Sequence, residues 1–505
     1  MKARSLFKCI ISILIFIPIS CLAIAGIPLL AWYNEVFVGG SRMLTLVYTI
    51  KNAHGASPDV IREIIYSCRA GIVIWIIIVM LYITVRIIYC ISSPDAGENI
   101  SKRYRISKFM SRIIPVGIIV TLTMLLVIAD RRLEIIHFFT SKLVESHFIE
   151  DNYVVPDTDR IIAKSPKNLI HIYIESMEPA FASEDVGGCQ PDINYIPNLT
   201  KYALEGISFS DSDQLGGFKQ VSGTGWTASA TFAVDLGVPY LAPTTDISAA
   251  YEAFDGFGDI LEDNGYYLEY ICGSDADFSG RKLFLTKHGD YEIMDYYAAI
   301  DKGYIPADYY EWWGYEDKIM YEIAKTEITE AASVKDRPFA ITMLTADTHY
   351  TDGYVCDLCE DTYDCQYANV VKCADNQIAD FLTWCSAQDW YEDTVIIIQG
   401  DHPYMKKNPL TEAARGRDRT TYNCFLNVDC ERSSLNMHNR EFLTMDLYPT
   451  ILYAIGFEIP GDRLGLGTNL FSDKPTLAEQ YGIEYMNAEF NKHSQWYFDN
   501  IVWDL

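Results

Sequence analysis

Beyond residue 166, three apolar runs each hand over to residues that bind cations or move protons. "NLIHIYIESMEP" delivers Glu175, "FAITMLTADTHYTDGY" delivers Asp347 and His349, and "TVIIIQGDHPYM" delivers Asp401 and His402. One such residue is explained by a helix cap or a solvated histidine. Three with the same outcome point to convergence on one divalent cation. Carboxylate oxygens with an imidazole suit Mn2+, Mg2+ or Zn2+ rather than a soft, thiolate-loving metal. A second stretch, "GTGWTASATFAVDLG" from Gly223 to Gly237, sets hydroxyls and glycines just ahead of an apolar helical run. If the helix starts near Thr227, its first N–H groups and its dipole favour an anion there. A Thr227 hydroxyl touching the cation would ionise more readily and attack phosphorus. The plain alternative is an ordinary N-cap by Thr224 or Thr227.

Such residues need a frame. "NLIHIYI", "YYLEYIC", "FAITMLT" and "TVIIIQG" have the length and the β-branched and aromatic content of buried strands. Helical patterns such as "ANVVKCADNQIADFLTWCSAQ" and "TMDLYPTILYAIG" lie between and after them. Alternation of this kind predicts an α/β domain with a mixed, largely parallel sheet, whose ligands sit beyond the carboxyl ends of the strands.

Charge divides the chain. Residues 1–150 hold 16 Lys+Arg against 9 Asp+Glu, a net +7, while residues 151–505 hold 24 against 59, a net −35. The acidic part excludes nucleic acid as a partner, because phosphate backbones need basic stripes. Three apolar stretches, Leu6 to Trp32, Ala70 to Ile91 and Ile113 to Ala129, predict transmembrane helices. The first is too long for the core of a cleaved signal peptide. Lys102, Arg103, Arg105, Lys108 and Arg112 place the loop before the third span in the cytoplasm, against a weaker set in the first loop, Arg42, Lys51, Arg62 and Arg69. Everything after Asp130 then lies outside. The expected organisation is an anchor over 1–132, a juxtamembrane helix ("RRLEIIHFFTSKLVESHF") and linker over 133–166, and an extracytoplasmic domain over 167–505.

Nine of the 13 cysteines follow residue 150, and Cys356, Cys359, Cys365 and Cys373 cluster. The Cys-x-x-Cys start admits a zinc knuckle. Disulfides are the stronger expectation for an extracytoplasmic loop.

The ordered set "GTGWT", "GVPYLAP", "GRKLFLTKHG", "TADTHYTDGY" and "WYEDTVIIIQGDH" resembles the sulfatase-like phosphoglycerol transferases of the alkaline phosphatase superfamily, and more distantly the lipoteichoic acid synthases. The likeness covers nearly all of 167–475. It implies an α/β/α sandwich in which Glu175, Thr227, Asp401 and His402 bind one divalent cation, Mn2+ above Mg2+ or Zn2+. It makes Thr227 the nucleophile that becomes covalently modified, and Arg281 and His349 the residues that hold the substrate phosphate. It further implies a donor lipid of the phosphatidylglycerol type and a surface glycan or teichoic-type polymer as acceptor. True sulfatases carry a cysteine or serine, converted to formylglycine, where this chain has threonine, which argues against sulfate ester hydrolysis. "THYTDGY" and "GTGWT" favour the glucan-modifying branch over the polymerases.

Other features have two readings each. "EWWGYEDK", Glu311 to Lys318, reads as a core-packing helix start or an aromatic platform. Trp226 either fills a gap or covers the glycerol moiety, and Arg415, Arg417 and Arg419 face lipid head groups or form a solvated loop. The rival functions are a phosphoethanolamine transferase or phosphodiesterase on the same fold, and a non-catalytic glycan sensor. A transporter is disfavoured by three spans lacking an intramembrane charge pair.

Overall fold

The computed structural model describes residues 2–36, 43, 44, 46, 47, 58–93, 100–242 and 254–502. Arg42 and Lys51 lie outside them, as does Pro243 of "GVPYLAP". The chain forms two compact units, one of residues 1–38 and 56–138, the other of 39–55 and 139–505.

The first unit contains three long helices, α1 (Lys2–Val36), α2 (Pro58–Ile91) and α3 (Lys102–Leu133). Phe16, Ala23, Tyr82 and Ile118 make a small shared core, with the Phe16 and Tyr82 rings stacked at 3.9 Å. Leu14, Ile77 and Met124 are among many large apolar side chains left facing outward. All three helices are long and apolar enough to cross a membrane. That outward surface suits hydrocarbon, since a water-facing surface does not carry apolar patches of this extent.

α3 ends where Glu134 turns left-handed, at φ 53°, and a short helix, Ile135–Ser141, follows. The single amphipathic juxtamembrane helix read from the sequence is therefore broken into pieces. The presumed linker is packed as well. Ser146 N–H donates to His493 O (2.7 Å), Val154 N–H donates to Gly465 O (2.9 Å), and Ile162–Ala163 pairs with Phe457–Glu458.

The second unit is built on six strands: β1 (Asn168–Ile174), β2 (Tyr267–Cys272), β3 (Tyr291–Met294), β4 (Phe339–Leu344), β5 (Thr394–Gly400) and β6 (Asn423–Leu426). Their order across the sheet is β3–β2–β4–β1–β5–β6, all parallel except the β5–β6 pair. β1 sits in the middle, with Ile170 opposite Ile341 and Ile396, and Ile172 opposite Met343 and Ile398. Continuous burial along β1, β4 and β5 explains their unbroken apolar runs, since a central parallel strand is covered on both faces. The parallel arrangement puts the ends of β1, β4 and β5 on one edge. Helices α4 (Thr227–Leu236), α5 (Arg281–Lys287), α6 (Asp317–Ser333), α7 (Gln366–Ser386) and α8 (Leu447–Ala454) supply the flanking layers.

Candidate active site

β1 ends in a tight turn. Ser176 adopts φ 55°, a left-handed conformation that is costly for serine, and hydrogen bonds hold it there. The Glu175 N–H donates to Thr345 Oγ1 (3.0 Å), and Thr348 Oγ1 donates to the Glu175 carbonyl (2.6 Å). Both threonines follow β4, so the neighbouring strand fixes where Glu175 points. Ser176 Oγ donates to Glu175 Oε1 (2.6 Å), and Ser176 N–H donates to Asp401 Oδ1 (2.7 Å). None of Ser176, Thr345 and Thr348 stood out in the sequence, where small hydroxyl residues after a strand look like any turn.

Asp401 and His402 follow β5 directly. The His402 Nδ1–H donates to the Pro403 carbonyl (3.0 Å); a carbonyl only accepts, which fixes the tautomer and leaves Nε2 as an acceptor. That nitrogen stands 3.5 Å from Glu175 Oε1 and 3.5 Å from Asp401 Oδ2. Ligand atoms of Glu175, Asp401 and His402 all lie within 4.8 Å of one another, and the three residues are at most 3% exposed. Asp401 Oδ2 and His402 Nε2 have no hydrogen-bond partner. Burial, then the adjacent Glu175 charge, pushes the Asp401 carboxyl up. Crowded, buried and unpaired acceptors are costly unless a cation fills the space between them. The three residues therefore fit a divalent cation.

Thr227 is the first residue of α4, and the cap before it is Trp226, whose N–H is held by Ser229 Oγ at 3.1 Å. Thr224 closes its own turn, accepting from Val221 N–H (3.0 Å) and donating to Val221 O (3.0 Å). Neither threonine caps the helix. The Thr227 hydroxyl instead crosses to the end of β1 and donates to Glu175 Oε2 at 3.0 Å, while its side chain stays half-exposed. Gly223, at φ +86°, brings the loop before α4 onto the segment after it: Tyr240 N–H donates to Gly223 O (2.9 Å), and a Cβ on Gly223 would meet the Tyr240 carbonyl at 2.7 Å.

His349 lies in the loop after β4, with Trp313 edge-on at 4.9 Å and its Nδ1–H donating to Tyr350 O (2.6 Å). Burial lowers its pKa to about 4, so the ring is neutral at pH 7. Trp313 also packs on Phe278 at 5.4 Å, which makes this part of "EWWGYEDK" an aromatic wall beside His349. Asp347 is not in the acidic cluster. It accepts from the Asp317 N–H at the start of α6 (3.2 Å), and Asp317 in turn accepts from Ala346 and Asp347 N–H.

Arg281 begins α5 and lines a pocket with Ala228, Thr231, Tyr240 and Tyr270, one residue from Thr227. Its guanidinium donates to Tyr270 OH (3.2 Å), Ser274 Oγ (2.8 Å) and the carbonyls of Asp275 (2.9 Å) and Phe278 (3.1 Å).

Two of the three arginines of "ARGRDRT" have structural partners rather than a head-group role. Arg419 donates to both oxygens of the fully buried Glu178 and to Tyr404 O (2.7 Å). Arg417 pairs with Glu184 at 2.6 Å, and Arg415 is exposed. Trp226 is buried, edge-on to Tyr240 at 6.1 Å.

The sulfatase family model matches residues 167–457, more than half of the chain. The chain belongs to the sulfatase family. Phosphoglycerol transferase I of Salmonella choleraesuis (strain SC-B67) is 31% identical over 333 residues, which is 63% of this chain and 40% of that protein. The protein of the same name from Salmonella typhimurium gives the same identity and coverage. The chain thus spans about 40% of the length of these relatives. Among solved structures, the lipoteichoic acid synthase LtaP from Listeria monocytogenes is 19% identical, with 65% of this chain and 82% of that one covered at a TM-score of 0.49. An alkaline phosphatase superfamily protein from Vibrio parahaemolyticus is 21% identical, with 64% and 74% covered and a TM-score of 0.46. Within this sulfatase-family frame, the residues at the ends of β1 and β5 and the start of α4 meet at one edge of the sheet.

Proposed function

We propose that this protein is a membrane-anchored phosphoglycerol transferase, moving the head group of a phosphatidylglycerol-type lipid to a surface glycan or teichoic-type polymer. The observation that carries the reading is the half-exposed Thr227 hydroxyl at the start of α4, 3.0 Å from Glu175 Oε2 and beside the unpaired Asp401 and His402 acceptors. Three helices long and apolar enough to cross a membrane support a lipid as donor. The basic run from Lys102 to Arg112, cytoplasmic by the positive-inside rule, supports an extracytoplasmic second unit.

Thr227 Oγ attacks the phosphorus of the donor. The bond to the diacylglycerol oxygen breaks, diacylglycerol leaves with a proton, and glycerophosphate remains esterified to Thr227. An acceptor hydroxyl then displaces Thr227 and restores the free side chain. Glu175 orients the attacking hydroxyl through the bond it accepts. A divalent cation held by Glu175, Asp401, His402 and Thr227, with Mn2+ preferred, would lower the hydroxyl pKa and neutralise phosphate oxygens. His349 enters the cycle neutral, and its Nε2, the ring's acceptor nitrogen, takes the proton of the acceptor hydroxyl and passes it on to the departing Thr227 oxygen, so that the ring ends neutral. Arg281 binds the phosphate oxygens through its guanidinium. The aromatic wall at Trp313 excludes water, which would otherwise hydrolyse the intermediate.

The test is intact-mass analysis of the detergent-solubilised full chain incubated with phosphatidylglycerol and Mn2+, beside Thr227→Ala. A glycerophosphate adduct present in the first and absent in the second supports donor, nucleophile and covalent route together. An adduct that persists in Thr227→Ala removes Thr227 from its role. A phosphoethanolamine adduct from phosphatidylethanolamine, with none from phosphatidylglycerol, replaces the donor assignment.

A further inference from the structure

The cysteine cluster has not formed the disulfides expected of it. Cys356, Cys359, Cys365 and Cys373 carry no disulfide in the structure. Three of the four clustered sulfurs nevertheless meet. Cys356 Sγ lies 3.7 Å from Cys359 Sγ and 3.8 Å from Cys373 Sγ, and all three atoms fall within 4.8 Å of one another. Cys365 stands apart, at the cap of α7.

These separations are almost twice a disulfide bond of about 2.05 Å. They equal the edge of a tetrahedron whose centre-to-sulfur distance is about 2.3 Å, roughly 3.8 Å, the bond length of zinc thiolate sites. The Cys-x-x-Cys turn is closed by Cys359 N–H donating to Cys356 O (3.1 Å). Gln377 Nε2 lies 3.4 Å from Cys373 Sγ and 4.0 Å from Cys356 Sγ. Cys373 and Gln377 are four residues apart on α7, so one helix face presents both.

The other end of that amide is unsatisfied. Gln377 is 7% exposed, and its Oε1 has no hydrogen-bond partner. The O and N of an amide are assigned from their surroundings, so rotating this one by half a turn brings the oxygen to the sulfurs. At 3.4 and 4.0 Å it then brackets the S···O edge of about 3.6 Å for a tetrahedral centre with an oxygen ligand at about 2.1 Å.

We propose that Cys356, Cys359 and Cys373, with the Gln377 amide oxygen at the fourth corner, form a structural site for a thiophilic divalent cation, zinc by preference. The site is separate from the acidic cluster and does not depend on the transferase reading. It fastens the loop after β4 to α7. The segment between His349 and Cys356 is short and internally bonded, through Gly353 N–H to His349 O (3.1 Å) and Tyr354 N–H to Asp347 O (2.7 Å). Lys318 of α6 holds Asp357 at 2.6 Å. A cation on the three sulfurs would therefore lock the position of His349.

The experiment uses the detergent-solubilised full chain carrying Asp401→Asn and His402→Ala, which removes the acidic cluster as a metal source. Elemental analysis after dialysis should find about one zinc per chain, in line with a closed structural site. Adding Cys359→Ser should abolish it, and adding Cys365→Ser should not. A second arm needs no variant: in the unmodified chain, a strong chelator should expose Cys356, Cys359 and Cys373 to alkylation, as peptide mass mapping would show. Zinc that survives Cys359→Ser overturns the proposal. So do alkylation of these three thiols that is unchanged by chelation, and a Cys356–Cys373 or Cys356–Cys359 disulfide in the untreated protein.

Discussion

Ser176 shows how a residue without chemistry of its own sets up a neighbour that has it. Its hydroxyl occupies Glu175 Oε1, which leaves Oε2 for Thr227, and its backbone N–H occupies Asp401 Oδ1, which leaves Oδ2 unpaired. One residue thereby sorts the oxygens of two carboxylates into orienting and binding roles. Ser176→Ala should lower transfer by about 10- to 100-fold, the usual effect of removing a partner behind a metal ligand. The loss should appear in the rate at saturating donor, with folding by circular dichroism unchanged. Arg419 acts differently. It is the counter-charge of Glu178, a carboxylate with no solvent exposure. Arg419→Ala strands that charge and should cost about 3–5 kcal/mol in denaturant unfolding. Glu178→Gln, which removes the charge and keeps the shape, should cost less.

At the scale of elements, β1 and β5 were legible residue for residue, as "NLIHIYI" and "TVIIIQG". Central parallel strands must be apolar throughout, and turn residues bound these two sharply. β3 and β6 were not legible. Each is four residues long at a sheet edge, and "YEIM" carries an exposed glutamate where a central strand would be apolar. The cation cluster could be read because its residues sit directly after strands. The resemblance put Thr227 beside Glu175 on one cation, but the direct hydrogen bond between these positions 52 apart was not legible, since it depends on how α4 meets the end of β1. α4 carries a further consequence. Burial raises Asp235, near its end, to about 7 from an ordinary 3.8, and its Oδ2 has no partner. The native state then keeps a proton that the unfolded chain has released between about pH 4 and pH 7. Folding takes up that proton, so this group's contribution to stability falls as pH rises through that window. Asp235→Asn does not titrate. It should flatten the decline in melting temperature between about pH 4 and pH 7.

The whole molecule combines three helices able to span a bilayer with a part, residues 151–505, of net charge −35. If the donor is anionic phosphatidylglycerol, that charge opposes approach to the membrane surface from solution, most strongly at low salt, where the Debye length is about 30 Å at 0.01 M. On the proposed reading the anchor would remove the approach altogether, because enzyme and donor would share one surface and meet by diffusion within it. Rate should then follow the mole fraction of phosphatidylglycerol in the bilayer and not its bulk concentration. With the full chain reconstituted in vesicles at fixed lipid composition, ten-fold dilution in buffer should leave turnover per protein unchanged. Replacing half of the phosphatidylglycerol by phosphatidylcholine should reduce it. Turnover that instead fell with dilution, and recovered with added salt, would mean that the acidic unit captures lipid from solution against its own charge, and that the three helices serve an end other than access to the donor.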